Sequence, residues 1–272
     1  MSGAAILLPG GLWRDGVRHR EAALRPLNGA DEVFFLESAG GLLPAHRTTA
    51  LLARCLDRLG PWEPPSAEHV RALTVGDREA LLLHLRRLTL GDRIESVLRC
   101  PEPACGEKMD LDLDVASLLV EPAPEPAPWY EAEVGEGEGR RRVRFRLPTG
   151  ADQEEAAFLA LADPEGAAGL LLRRCVEDAS GIPEEPVAAL MAERDPQAEL
   201  VLQLSCPVCG RDFEMPFDVA AFFFQELAAR AAVLYREVHR LALAYHWGEA
   251  EILAMSGRKR RLYLELLAEG SR

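Results

Sequence analysis

Two cysteine pairs set inside a recurring phrase constrain this chain more than any other feature. One copy reads VLRCPEPACGEKMDLDLDVASLL and carries Cys100 and Cys105; the other reads LQLSCPVCGRDFEMPFDVAAFFF and carries Cys206 and Cys209. In each, Pro follows the first Cys and Gly follows the second. An alternating stretch then ends in Asp-Val, at Asp114-Val115 and Asp218-Val219. Two thiolates on a tight turn supply half of a tetrahedral zinc site. Two such half-sites predict one structural Zn held by Cys100, Cys105, Cys206 and Cys209, with no open position for a substrate. The rival readings are four reduced structural thiols, or redox chemistry at CPVC. Redox pairs sit at a helix N-terminus, where the dipole lowers the thiol pKa. Here the pair leads into RDFEMPFDV, which alternates like a strand, and this disfavours the redox reading.

The recurrence reaches further back. RHREAALRPLNGADEVFFLE parallels RRRVRFRLPTGADQEEAAFLA, with Gly29-Ala30-Asp31 lying over Gly150-Ala151-Asp152. TALLARCLDRLG parallels AGLLLRRCVEDASG, placing Cys55 over Cys175. The predicted unit is strand, turn, helix, helix, strand, knuckle, strand. Gly76 to Asp92 is the extra piece of the first copy. The expected fold is therefore α+β: two duplicated halves sharing a zinc-ribbon-like four-cysteine site, plus a helical C-terminal module. The expected boundaries are 1–120 for the first half, 121–139 for an acidic Pro/Gly linker, 140–219 for the second half and 220–272 for the helical module.

A hydrophobic fraction of 48% is ample for a packed core, and the net charge of −13 with a pI near 5.0 argues against a general nucleic-acid binder. No apolar run is long enough for a membrane span. The N-terminus lacks the basic start of a secretion signal. Cysteines in knuckle pairs fit metal in a reducing compartment better than a disulfide framework. The expected location is the cytoplasm, or a tail-like particle in which the protein is incorporated.

Periodicity fills in the elements. Val17 to Leu27 reads as a strand and Arg47 to Leu59 as a helix, with Asp31 capping the helix before it. Ser66 caps a short helix through Leu73, and Gly76 or Asp77 opens the next. Met109, Leu111 and Leu113 alternate with aspartates as a half-buried strand. Val143, Phe145 and Leu147 form another. Helices are expected over Glu154 to Leu161, Ala167 to Glu177 and one long span from about Ala220 to His246, broken at Trp247-Gly248. Glu249 to Met255 and a last helix capped by Ser256 follow. This C-terminal module has no counterpart after the first knuckle.

Cys55 and Cys175 read as small core hydrophobes. His239 and His246 are too far apart along one helix to share a metal, and His84 sits among leucines. No P-loop, dinucleotide fingerprint or nucleophile motif is present, so the chain is expected not to be an enzyme and to have no small-molecule substrate. Arg258-Lys259-Arg260-Arg261 is a basic run in an acidic protein. It is either a solvated helix start or a surface for an acidic partner, since cations there oppose the helix dipole. Phe222, Trp247 and Tyr263 are candidate aromatic anchors beside Arg258, Arg260 and Arg261; the alternative is that they pack on the protein's own core.

The knuckle phrases, LTVGDREALLLHLRRLTLGDR and REVHRLALAYHWGEAEILAMSGRKRRLYLELL together resemble the T-even-type baseplate hub assembly chaperones of contractile phage tails and phage-tail-like injection systems. The resemblance covers most of the chain, and His246 to Leu253, followed by the basic run and leucines, is its most specific stretch. The resemblance implies a non-enzymatic helper or component in building a baseplate hub, with hub, wedge or tape-measure proteins as partners. The rival function is a zinc-ribbon protein associated with nucleic acid or transcription.

Overall fold

The computed structural model describes residues 4–121, 125–135 and 140–270. Its first element answers to a pair of glycines. Strand β1 (Ala4–Arg14) pairs antiparallel with β2 (Val17–Leu24), and the register shifts between Leu7 and Leu12. Gly11 adopts a φ of 79° in that break, a conformation suited to glycine. The freed N–H groups of Gly10 and Gly11 both donate to Asp77, each at 2.7 Å. After α1 (Gly29–Glu37) and α2 (Pro44–Cys55), β3 (Leu56–Leu59) joins the free edge of β2, giving the order β1-β2-β3. The short α3 (Ala67–Arg71) and the long α4 (Val75–Leu90) follow. Leu8, Leu24, Leu52, Leu81 and Leu85 are fully buried between this sheet and these helices. Each such side chain contributes about 1.5–3 kcal/mol of burial.

Next comes the first knuckle hairpin, β4 (Arg93–Arg99) with β5 (Lys108–Asp114), ending in the single turn α5 (Val115–Leu118). A second hairpin, β6 (Tyr130–Val134) with β7 (Arg141–Phe145), packs on α7 (Pro164–Cys175) and α8 (Glu184–Arg194), after α6 (Gly150–Ala160). The second knuckle hairpin is β8 (Leu200–Ser205) with β9 (Asp212–Phe217). Helix α9 (Val219–Ala229) then returns to the main core through Phe223, Phe224 and Leu227. Helices α10 (Ala231–Tyr245), α11 (Glu249–Leu253) and α12 (Gly257–Gly270) build a third cluster on Leu234, Val238, Leu241 and Ile252. The molecule is thus a mixed α+β protein of helices and small antiparallel sheets.

Two contact sets recur. Asp31 accepts from Arg25 and Arg54, and Arg25 also donates to the Arg54 carbonyl. Asp152 accepts from Arg146 and Arg174, and Arg146 donates to the Arg174 carbonyl. These bonds hold the Asp152 carboxyl below the usual carboxylate range, against the burial that opposes them. Asn28 caps α1 and Thr149 caps α6, each in a capping box completed by its Asp.

The second set joins helix pairs to those caps. The N–H of Gly150 donates to the Leu73 carbonyl, and that of Gly29 to the Met255 carbonyl. Arg78, on α4, is fully buried over Gly150; Arg260, on α12, is fully buried over Gly29. A Cβ on Gly150 would meet the Arg78 guanidinium at 2.1 Å, and one on Gly29 would meet that of Arg260 at 2.9 Å. Arg260 pairs with Glu32 at 2.7 Å and Glu237 at 2.8 Å. The α11–α12 pair therefore has a counterpart in α3–α4. It lies before the first knuckle, and it packs on α6 rather than on its neighbour α1.

Several sequence expectations are corrected. The helix predicted to Leu59 stops at Cys55, because Leu56 to Leu59 hydrogen-bond to β2. Asn28, not Asp31, caps α1; Asp31 is the reciprocal partner. The span from Ala220 to His246 is two helices, with Arg230 in a tightened turn whose N–H reaches Leu227. Part of the expected linker, Tyr130 to Val134, is the strand β6. Tyr130 and Val134 supply its buried face, and Tyr130 stacks on Phe145 with ring centroids 5.5 Å apart. Residues 122–124 and 136–139 of that stretch lie outside the described residues.

Removing a buried guanidinium strands its carboxylates, at a cost of about 3–5 kcal/mol. Arg260→Ala, which leaves Glu32 and Glu237 uncompensated, should lower the thermal midpoint sharply. Arg258→Ala, on the exposed side of the same helix, should leave it near the wild type. Calorimetry of the two variants distinguishes a buried strut from a surface cation.

Candidate metal centre and partner surfaces

Hairpin geometry builds the thiol cluster. In the first knuckle the N–H of Cys100 donates to the Glu107 carbonyl, and those of Cys105 and Gly106 reach the Glu102 carbonyl. In the second, Cys206 donates to the Arg211 carbonyl and Gly210 back to Cys206. Gly106 and Gly210 take φ values of 59° and 72°, which explains why Gly follows the second Cys of each pair. Each turn thus presents two sulfurs on one side, and the turns face each other. A contact between Arg211 and Glu102 ties the knuckles together beside the sulfurs.

The sulfurs of Cys100, Cys105, Cys206 and Cys209 all lie within 4.8 Å of one another. Cys100 and Cys209 are 3.7 Å apart, Cys105 and Cys206 3.9 Å. A tetrahedron with Zn–S bonds of about 2.3 Å has edges of about 3.8 Å. A disulfide needs about 2.05 Å, so neither close pair is one. Cys100 and Cys206 are buried, Cys105 is half-buried and Cys209 is exposed. The Cys209 and Val208 N–H groups bring the Cys206 thiol down to about 7. At Cys100 the Glu102 N–H favours the thiolate, but burial and the neighbouring sulfurs push it up to about 12. Bare thiols so close share charge badly; a divalent cation at their centre removes that conflict. The donor set, the spacing and the closed four-ligand count therefore fit a structural metal ion.

The other cysteines lie in the core. Burial drives both thiols upward, Cys175 to about 12, as expected of inert packing residues. His84 is brought down to about 4 by burial and then by Arg87.

The candidate partner residues divide. Arg258 is exposed and Arg261 half-buried on α12. Arg260 is wholly inside, so it is corrected from a surface contact to an internal strut. Trp247 stacks on Tyr245 at 4.5 Å and meets Tyr263 edge-on at 4.9 Å, which commits much of both rings to the C-terminal cluster. Phe222 is half-buried and packs on Phe217 at 5.4 Å. The exposed large hydrophobic side chains among the described residues of this module include Val233, Leu243, Leu262 and Leu266. They fall off the periodic core stripe of their helices, the signal that would have singled them out.

A further feature was not foreseen. Two clefts, of about 250 and 570 Å³, share Glu79, Gln153 and Asp218 in their walls. Burial, then the field of Asp218, raises the Glu79 carboxyl to about 8; Arg78 only partly offsets this.

Compared with known families, residues 49–180 match the model described as T4 bacteriophage base plate protein, just under half of the chain. The matched region contains Cys100 and Cys105 and stops before Cys206 and Cys209. Neither a curated protein nor a solved structure gives a match. No helix among the described residues is long and apolar enough to cross a membrane.

Metal analysis should find one ion per chain, falling to near zero in Cys100→Ser and Cys206→Ser. Chelation should speed amide exchange in both knuckle hairpins while α4 keeps its protection, since the main core is built without the sulfurs. The Glu79 carboxyl, raised in the folded state, contributes stability below the ordinary carboxylate range that is lost as pH rises through 8. Thermal stability should therefore fall between about pH 4.5 and about pH 8, level off above that, and fall less in Glu79→Gln.

Proposed function

We propose that this chain, related to T4-type baseplate proteins through residues 49–180, is a non-enzymatic assembly chaperone or component of a contractile baseplate hub. It acts by protein–protein binding, in a phage tail or a phage-tail-like injection system. The family match over the middle of the chain is the observation that carries this reading. The sequence resemblance of the C-terminal stretch, which lies outside the matched residues, adds the chaperone role and the hub, wedge or tape-measure partners.

The metal in this reading is zinc and its role is structural. When bound, it joins two hairpins distant in sequence; Cys100, Cys105, Cys206 and Cys209 would hold it, and the Arg211–Glu102 contact orients the turns beside it. The recurring Asp–Arg–Arg sets around Asp31 and Asp152, and the matched seats of Arg78 and Arg260, support descent from a duplicated unit. Partner contact falls on the outer face of α10, where Leu243 is 71% exposed. The nucleic-acid reading gains nothing from the fold, since the chain carries a net charge of −13.

Affinity purification from the native host, followed by mass spectrometry, tests the assignment. Hub, wedge or tape-measure proteins should co-purify. Substoichiometric recovery with assembly intermediates marks a chaperone, and fixed stoichiometry in finished particles marks a component. Recovery of polymerase or ribosomal proteins in their place would overturn it.

A further inference from the structure

Two surfaces of this chain are complementary. The first is the open groove of about 570 Å³ between α6, α7 and the N-terminal ends of α2 and α9. Seven of the sixteen residues that line it are alanine, and Leu171 and Leu161 join them, the latter 73% exposed. Small side chains therefore create the space. Its walls also carry Glu79 and Asp218. Asp218 accepts only the Ala221 N–H and has no cation within salt-bridge distance among the described residues. Arg78, the sequence neighbour of Glu79, turns its guanidinium to the Thr49 hydroxyl and the Ala45 carbonyl.

The second surface is the outer face of α12. Arg258, Leu262 and Leu266 recur every fourth residue and so share one stripe, and all three are exposed. Leu262 is 54% exposed and Leu266 49%. Lys259 adjoins them, also exposed. Cations at a helix N-terminus are opposed by the helix dipole. Arg258 and Lys259 have no ion pair among the described residues to offset this, so both are available to an external carboxylate.

We propose that the groove receives the α12 face of a second copy of this chain. Leu262 and Leu266 lie against the alanines, and Arg258 or Lys259 meets the exposed Asp218 carboxylate. The stripe from Arg258 to Leu266 runs about 12 Å along the helix. A helix laid by its apolar stripe into a groove is a common recognition mode. The net charge of −13 repels two copies at long range, so the contact depends on these two local patches and is confined to one orientation. Groove and helix face are different surfaces, so the interface is heterologous: each copy offers one of each. This inference concerns the protein alone and does not rest on the baseplate reading.

Sedimentation velocity of the full chain tests it, using Ala160→Lys to block the groove and Leu262→Asp to spoil the helix face. Both positions are exposed, and circular dichroism checks that each variant is folded. The wild type should self-associate across micromolar concentrations, and each variant alone should do so at least about tenfold more weakly. An equimolar mixture of the two variants should form a one-to-one dimer and nothing larger, because one intact groove meets one intact face. A wild type that stays monomeric, association that survives in both variants, or a mixture that stays monomeric would each overturn the proposal.

Discussion

The fold hangs on guanidinium groups buried over glycines. Arg78 and Arg260 are the two largest fully buried side chains, and each closes a helix pair onto the cap of a distant helix. A charge so placed is costly unless its hydrogen bonds are satisfied. Arg260 meets two carboxylates and the Met255 carbonyl; Arg78 meets the Thr49 hydroxyl and the Ala45 carbonyl, with the Glu154 charge nearby, but its buried Nε–H has no acceptor. The planar fork of arginine reaches several acceptors at once, which a lysine cannot do. Glycine suits both seats: a Cβ at Gly150 would fall into the Arg78 guanidinium, and one at Gly29 would crowd Leu253 and Arg260 together. The Gly-Ala-Asp phrase thus does two jobs: its Asp closes the capping box and holds two arginines, and its Gly seats a third from another part of the chain.

These seats explain how the chain threads. Helices α3 and α4 sit early in the sequence but dock on α6, while α11 and α12 sit last but dock on α1. The C-terminal helices thus close on the first helix of the chain, and the α3–α4 pair on a helix some 60 residues further on. The main core has the same character, since Phe223 and Phe224 of α9 fill space beside Phe35 and Leu52. A fold with so many long-range closures pays more loop entropy before its contacts form than a string of local modules does.

The thiol spacing was legible because metal chemistry fixes it locally: two cysteines, a tight turn and a glycine suffice to announce a half-site, and the structure brings the halves together. The alternating strand at Met109 and the caps at Ser66 and Ser256 were similarly local. Strand β1 was missed because its glycines break the alternation and Asp77 repairs the ladder from far away in sequence. Strand β6 was hidden by prolines and glutamates around two buried side chains. The burial of Arg260 was invisible for the same kind of reason. A basic run looks solvated until Glu32 and Glu237 arrive from other helices. Periodicity reports the environment of a residue only when its own element decides it.

The cysteine cluster adds a different kind of constraint. Cys100 and Cys209 are 109 residues apart, and the intervening chain includes the whole β6–β7 hairpin and α6 to α8. Treated as a crosslink, closing a loop of roughly 100 residues takes on the order of 4–5 kcal/mol of entropy from the unfolded chain. The two hairpins cannot supply that through packing alone: Val97, Val201 and Val208 are exposed, and both knuckle strands show one face to solvent. The sulfurs and the Arg211–Glu102 contact join the hairpins at their tips, while the strand bases rest on the core. A metal ion there belongs to the architecture rather than to chemistry, because four protein sulfurs leave no site for a reactant and because its work is to hold together parts of the chain that the hydrophobic core leaves apart.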